Sequence, residues 1–260
     1  MSRKLAFAAV AGRKKDDRRG ACQDAVFGKS MNGISCVALS DGAGSRRLSG
    51  TGARSAVRLV VDHVLANFDA VFEKVWHGGE RDVASCMIKL IVDELSSERF
   101  ARRGSLEDYA CTLIFAAAEK DRILLGHLGD GIAFSVGAHT AEITSPPDNG
   151  EYANETYFVT GRDAVERFRL TAMRLDTPVS VLLASDGAAA SLLRRADQAV
   201  APAVSRLCEW TVARSRKEMN SALKANLEGL FRQKTTDDCS IAILADPRAH
   251  SSPEAAAPSN

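Results

Sequence analysis

The sequence predicts an α/β (α+β) fold, a four-layer α-β-β-α sandwich in which two mainly antiparallel sheets are flanked by helix pairs. Three observations predict it. Apolar strand-like runs open the chain, two long stretches with a 3.6-residue apolar period follow, and a second series of strands and helices ends in a closing strand. With 260 residues, 45% of them hydrophobic, the chain can fill the cores that four layers need.

Taken in order, residues 5–10 read as a strand, 25–27 as a short one and 34–39 as a third, apolar on both faces and therefore buried. Ala53, Val57, Val60, Val61, Val64 and Phe68 recur with helical spacing, and Val83, Met87, Leu90, Ile91 and Leu95 repeat the pattern, with Gly104 as a stop. Residues 109–118, 122–128 and 132–136 are apolar runs joined by short turns, the pattern of an antiparallel meander. A polar excursion opens at Pro146-Pro147-Asp148-Asn149-Gly150, and residues 145–166 read as a flap over a site. Strands at 168–175 and 179–184, a mostly helical stretch at 187–231 and a last strand at 239–244 complete a single domain over residues 1–246. The tail 247–260, rich in Ala, Ser and Pro, is expected to be disordered.

Composition narrows the function. Thirty-four basic against 33 acidic residues leave a net charge of +1, which provides no global field for nucleic acid or an anionic membrane. The six cysteines, at 22, 36, 86, 111, 208 and 239, form no CxxC pair and imply neither a disulfide framework nor a zinc site. The N-terminal apolar stretch is too short for a signal-peptide core, and no run approaches the roughly 20 apolar residues of a membrane span. A cytoplasmic monomer without nucleic-acid or membrane partners is the expectation.

The chemistry is concentrated in acidic residues at strand ends. Val37-Ala38-Leu39-Ser40 delivers Asp41-Gly42, and Leu182-Leu183-Ala184-Ser185 delivers Asp186-Gly187, so that Ser-Asp-Gly-Ala occurs twice. The run 124–128 ends in Gly129-Asp130-Gly131, whereas Asp237-Asp238 stands before the final strand. If that strand is antiparallel to its neighbour, its start lies beside the other ends. One Asp-Gly pair is a common turn. Several converging carboxylates repel one another and raise each other's pKa unless cations compensate, and such hard oxygen donors select magnesium, manganese or calcium over zinc. Glycine after the aspartate frees the backbone carbonyl of Gly42 to turn toward an ion.

Other chemistries lack their motifs. Gly42-Ala43-Gly44-Ser45-Arg46-Arg47 is a partial dinucleotide loop with Arg47 in place of the third glycine, and no GxxxxGK[ST] loop, Asp-x-Asp nucleophile pair or G-x-S-x-G elbow is present.

These residues resemble the type 2C, metal-dependent protein phosphatases, in their compact bacterial branch. Cys22-Gln23-Asp24-Ala25 is similar to the early acidic motif of that family, and Ala38-Leu39-Ser40-Asp41-Gly42-Ala43-Gly44 to the bridging-aspartate motif. Gly129-Asp130-Gly131, Leu183-Ala184-Ser185-Asp186-Gly187 and Asp237-Asp238-Cys239-Ser240-Ile241 resemble the remaining three, and Gly150-Glu151-Tyr152-Ala153-Asn154-Glu155-Thr156 resembles the bacterial flap.

The resemblance implies a serine/threonine phosphatase acting on phosphorylated protein, with a cognate kinase as counterpart and two Mn2+ or Mg2+ ions per site. It implies that Asp41 bridges the metals, the Gly42 carbonyl binds one, and Asp186 and Asp237 hold the other. A hydroxide bridging the cations would attack phosphorus in line. Asp24, counted with the ligands and the catalytic groups, would orient metal-bound water, and Asp130 would help to bind a third, weaker metal. Arg19, five residues before Asp24, or its neighbour Arg18, would grip the phosphate. Position 43 is alanine where many relatives carry an acid histidine, leaving His127 as a candidate acid or a structural histidine. The alternative to an enzyme is a catalytically weak regulatory module of the same fold that binds phosphoproteins or a partner.

Overall fold

The computed structural model describes residues 2–13, 21–97, 100, 103–148, 156–194 and 197–250. Strands β1 (Lys4–Val10), β2 (Ala25–Met31) and β3 (Ile34–Ser40) precede helices α1 (Ser49–Trp76) and α2 (Glu80–Leu95). Then come β4 (Leu113–Glu119), β5 (Arg122–Leu128), β6 (Ile132–Val136) and β7 (Ala141–Ser145). A short helix α3 (Ala164–Arg167) leads to β8 (Arg169–Arg174) and β9 (Ser180–Ala184). Helices α4 (Asp186–Ala189), α5 (Ala203–Ala213) and α6 (Arg216–Asn226) precede β10 (Cys239–Ala245).

The strands form two five-stranded sheets, ordered β1-β10-β9-β6-β7 and β2-β3-β4-β5-β8, and every strand pairing is antiparallel. Period-2 alternation explains how they stack. In β3, Cys36 and Ala38 face α1 and α2, while Val37 and Leu39 face the other sheet. In β10, Ile241 and Ile243 pack under α5 and α6, while Ala242 and Leu244 point between the sheets. Both faces of the central strands are therefore buried, which is why they read as unbroken apolar runs. Val57, Val60, Val64 and Phe68 of α1 and Met87 and Ile91 of α2 supply the covering stripe on one side, each such burial being worth roughly 1.5–3 kcal/mol. The predicted four-layer sandwich is the one observed.

Four details depart from the sequence expectation. The meander does not exist: β5 pairs with β4 and β8, but β6 crosses to the other sheet and pairs with β7 and β9. Gly129, at φ 113°, makes the crossing possible in a three-residue link that is also the length of a hairpin turn. The run 109–118 starts late, since Leu106–Tyr109 is a 3-10 turn and the strand begins at Leu113. Strand β2 extends past residue 27 to Met31, where Asn32 (φ 52°) and Gly33 (φ 84°) make the tight turn into β3. Pro247–Ala249, expected to belong to a disordered tail, form a 3-10 turn on a buried Asp246, whose Oδ1 accepts from the Arg248 backbone N–H at 2.9 Å. Residues 251–260 lie outside the described residues.

Candidate metal centre between the sheets

Asp41 follows β3, Asp130 follows β5, Asp186 follows β9, and Asp237 precedes β10. Because β10 runs antiparallel to β9, with Ile241 opposite Ala184, the start of the last strand lies beside the end of its neighbour. The four carboxylates line one cavity of about 540 Å³, shared with Thr112 and Thr156. Four segments distant in sequence thus meet at one edge of the sandwich.

Backbone hydrogen bonds hold each aspartate. The Asp41 N–H donates to Thr112 Oγ1 (2.9 Å), the Thr112 N–H donates to the Asp41 carbonyl (2.8 Å), and Ser40 Oγ donates to the Thr112 carbonyl (2.5 Å). Gly42 is buried in an antiparallel bridge with Cys111; a Cβ there would stand 2.8 Å from the backbone of Ser49. At the second Ser-Asp-Gly-Ala, the Gly187 N–H reaches Asp186 Oδ1 at 2.5 Å, and the Ser240 N–H donates to Ser185 Oγ at 2.9 Å. Asp237 Oδ1 accepts from the Asp238 N–H at 2.9 Å, and Thr156 Oγ1 donates to Asp130 Oδ2 at 2.7 Å.

Asp24 does not line the cavity. It is buried behind Asp41, with Oδ2 accepting from Ser240 Oγ at 2.6 Å and Oδ1 without a partner among the described residues. Burial pushes its carboxyl up to about 7. Burial, then the charges of Asp24 and Asp186, hold Asp41 well above the usual carboxylate range. Asp186 is pushed up to about 6 by burial, Asp130 and Asp237. Such mutual repulsion is what bound cations would relieve.

The donor set fits hard divalent ions. Among the described residues, no three His, Cys, Asp or Glu side chains form a ready-made cage for one ion. Magnesium and manganese do not need one, since magnesium characteristically keeps several waters and takes one or two carboxylates, whereas structural zinc needs a closed set of four. The absence of sulfur and imidazole from the cavity lining points the same way.

Arg18 and Arg19 lie outside the described residues, as do residues 150–155 of the flap motif; Thr156, its last residue, lines the cavity. His127 sits beneath the site with Nδ1 engaged by Ser145 and Arg169. Three residues were given no role by sequence reasoning. Thr112 clamps Asp41 from β4, Ser240 holds Asp24, and Asp238 accepts the backbone N–H groups of Gly12 (2.8 Å) and Gln23 (2.6 Å), bracketing the segment that leads to Asp24. The hydroxyls carry no sequence signal, whereas Asp238 adjoins a recognised aspartate.

A four-layer sandwich with a carboxylate-lined cavity at the junction of its sheets is an arrangement that could hold divalent cations for hydrolysis. Residues 11–228 match the protein phosphatase 2C family, and the chain belongs to that family. Serine/threonine-protein phosphatase 3 of Escherichia coli K12 is 31% identical over 175 residues, 64% of this chain and 66% of that protein. Among solved structures, serine/threonine phosphatase Stp1 of Staphylococcus aureus superposes with a TM-score of 0.63 at 15% identity, covering 95% of this chain and 96% of its own. PppA, a key regulatory component of T6SS in Pseudomonas aeruginosa, superposes at 0.61 with 19% identity over 94% and 98%. At these identities the superpositions establish the fold.

Proposed function

We infer that this chain is a metal-dependent protein serine/threonine phosphatase that hydrolyses phosphoserine and phosphothreonine in proteins. The observation that carries the reading is the convergence of Asp41, Asp130, Asp186 and Asp237 on one cavity, with Asp41 and Asp186 driven above the ordinary carboxylate range. Family membership and the relative in E. coli support the substrate class.

Asp41 would bridge two Mn2+ or Mg2+ ions, with the Gly42 carbonyl completing one site and Asp186 and Asp237 the other; Asp130 would serve a third. When bound, the cations supply an acidified water and neutralise charge on the phosphoryl oxygens. The protein's own part is positional. Thr112 fixes the Asp41 backbone, and Asp24, buried behind Asp41 and hydrogen-bonded to Ser240, would orient the bridging carboxylate from behind rather than by contact with substrate. Phosphate capture is assigned to Arg19 or Arg18. The six free cysteines suit the reducing cytoplasm.

The test is turnover of p-nitrophenyl phosphate and of phosphoserine and phosphothreonine peptides with Mn2+. Asp41→Asn is expected to lower kcat at least about a thousandfold while leaving the fold intact, because the lost group is the shared ligand. No turnover by the native protein on any of these substrates would shift the assignment to a phosphoprotein-binding module.

A further inference from the structure

The surface beside the carboxylate cavity is unusually basic for a chain whose charges balance. Two adjoining clefts, of about 280 and 290 Å³, share Thr51 and Arg54 and run along the first turns of α1. Arg47, Arg54, Arg58 and Arg103 line them, all four exposed, and Glu94 is the one carboxylate among the described lining residues. Four cations against one anion is a local excess that the whole chain, at +1, does not share.

Apart from the hydrogen bond that Arg47 donates to the Arg103 carbonyl, their partners inside the protein are weak. Arg54 donates to the Thr51 hydroxyl at 3.2 Å, Arg58 lies over the Phe27 ring at 4.8 Å, and Arg47 stands at 4.0 Å from Asp108. Arg54, Arg58 and Arg103 have no carboxylate within ion-pair distance among the described residues. No acidic residue occupies the first turn of α1 either. Crowding like charges adds repulsion and returns no folding energy, so the cluster makes sense as half of an electrostatic pair.

The clefts and the carboxylate cavity are two sides of one loop. Ala43 and Gly44 face the cavity and Arg47 faces the cleft. Gln23, adjacent to Asp24, braces the loop by donating through Nε2 to the Arg46 carbonyl at 2.9 Å and to Ser49 Oγ at 2.5 Å. A chain placed with one side chain in the cavity therefore has a short route into the cleft.

We propose that this arginine-lined cleft binds an acidic segment of the phosphoprotein that flanks the phosphorylated residue, and so selects substrates by their neighbouring aspartates and glutamates. The proposal rests on the phosphatase reading above. Arg54 and Arg58 lie four apart on one face of α1, and Arg47 and Arg103, joined by a hydrogen bond from the Arg47 guanidinium to the Arg103 carbonyl, spread the positive charge over two adjoining clefts, a match to successive carboxylates along a peptide rather than to a single free anion. Nucleic acid fits less well: Phe100, the aromatic side chain in the lining, is buried and offers no face for a base to stack on.

The experiment compares kcat/KM for two phosphothreonine peptides that differ only in carrying Asp/Glu or Asn/Gln flanks, with p-nitrophenyl phosphate as an independent check of the phosphatase reading. Native protein at low ionic strength should prefer the acidic peptide roughly tenfold, the yield of two or three exposed ion pairs. The ratio should fall toward one in Arg54→Glu/Arg103→Glu, persist in Arg54→Lys/Arg103→Lys, and collapse in the native protein at about 0.5 M salt. Turnover of p-nitrophenyl phosphate with no preference between the peptides overturns the proposal and leaves the phosphatase reading standing. A preference that survives charge reversal, or that is insensitive to salt, also overturns it. Loss of peptide turnover to a single-stranded oligonucleotide at lower concentration than to a non-phosphorylated acidic peptide would reassign the cleft to nucleic acid. Failure on p-nitrophenyl phosphate as well as on both peptides would instead remove the phosphatase reading itself. The salt titration needs no variant, so a misfolded double mutant does not spare the proposal.

Discussion

Asp24 lies buried behind Asp41 at the edge where the two sheets meet, and its charge adds to burial in holding the Asp41 carboxyl above the usual carboxylate range. Burial together with this repulsion makes a proton on the pair hard to remove.

Cation binding must expel that proton, so affinity for Mn2+ should rise with pH between about 6 and 7.5, with proton release visible by calorimetry in buffers of different ionisation enthalpy. The sign for stability follows from linkage. Asp24 at about 7 and Asp186 at about 6 bind protons in the folded chain that the unfolded chain, near 3.8, has released. Metal-free stability is therefore fully present below the unfolded value and is lost as pH rises through 6 to 7. His127 works in the opposite sense at lower pH, being neutral when folded down to about 3 and charged when unfolded below 6.5. Above pH 6.5 the contributions of His127, His63 and His250, all lowered by burial, fade as the unfolded imidazoles lose their protons; the carboxylates then dominate, and the metal-free melting temperature should drop from pH 6.5 to 8, while saturating Mn2+ should reverse the drop. A metal-free protein that melts higher at pH 8 than at 6.5 would sink the carboxylate cluster.

The layers and the four aspartates that share the cavity were legible because both are written in local pattern. Unbroken apolar runs such as 34–39 and 124–128 mark doubly buried strands, and each ends in a small acidic turn whose purpose shows in its repetition. The crossing of β6 was not legible. Gly129-Asp130-Gly131 can close a hairpin or carry the chain between sheets, and the difference lies in what Ile132 and Phe134 pack against, Leu182 and Ala184 of β9 rather than β5. Strand β7 was missed because Glu142 and Ile143 are partly or wholly exposed and Thr144 is polar, so no buried face shows in the run. Thr112 and Ser240 escaped for a related reason: a hydroxyl that holds an aspartate looks like any other hydroxyl until the fold brings it within 3 Å.

Gly187 is bound to its place by backbone contact. A Cβ at this position would sit 2.1 Å from the Asp238 carbonyl oxygen and 3.5 Å from the Asp237 side chain, and neither backbone can yield without moving Asp186 or Asp237. Gly187→Ala should destabilise the protein by about 2–3 kcal/mol and separate Asp186 from Asp237. Its melting temperature should respond less to Mn2+ than that of the native protein. Gly44→Ala, whose Cβ meets nothing within 4 Å, is the control for stability. Equal Mn2+ responses in Gly187→Ala and the native protein would show that the close approach does not set the ligand spacing.

His127 is the remaining titratable group near the site, and its hydrogen bonds decide its role. Nδ1 receives Arg169 Nη2 at 2.9 Å and stands 2.8 Å from Ser145 Oγ, and a guanidinium can only donate, so Nδ1 is the acceptor and the proton belongs on Nε2. Burial and then the Arg169 charge lower its pKa to about 3, so at neutral pH the ring is uncharged and carries no acidic imidazolium proton to give. Arg169 also donates to the Pro146 carbonyl at 2.6 Å, and the adjoining Pro147 lines the cavity. The pair therefore ties the end of β5 to the end of β7. His127→Leu should cost about 1–3 kcal/mol by leaving Arg169 without its acceptor, and His127→Asn, which keeps an oxygen near the Nδ1 position, should cost less. In both, the acidic limb of the kcat profile should stay where it is in the native protein. A limb that moves in His127→Asn while the melting temperature holds would return His127 to the role of proton donor.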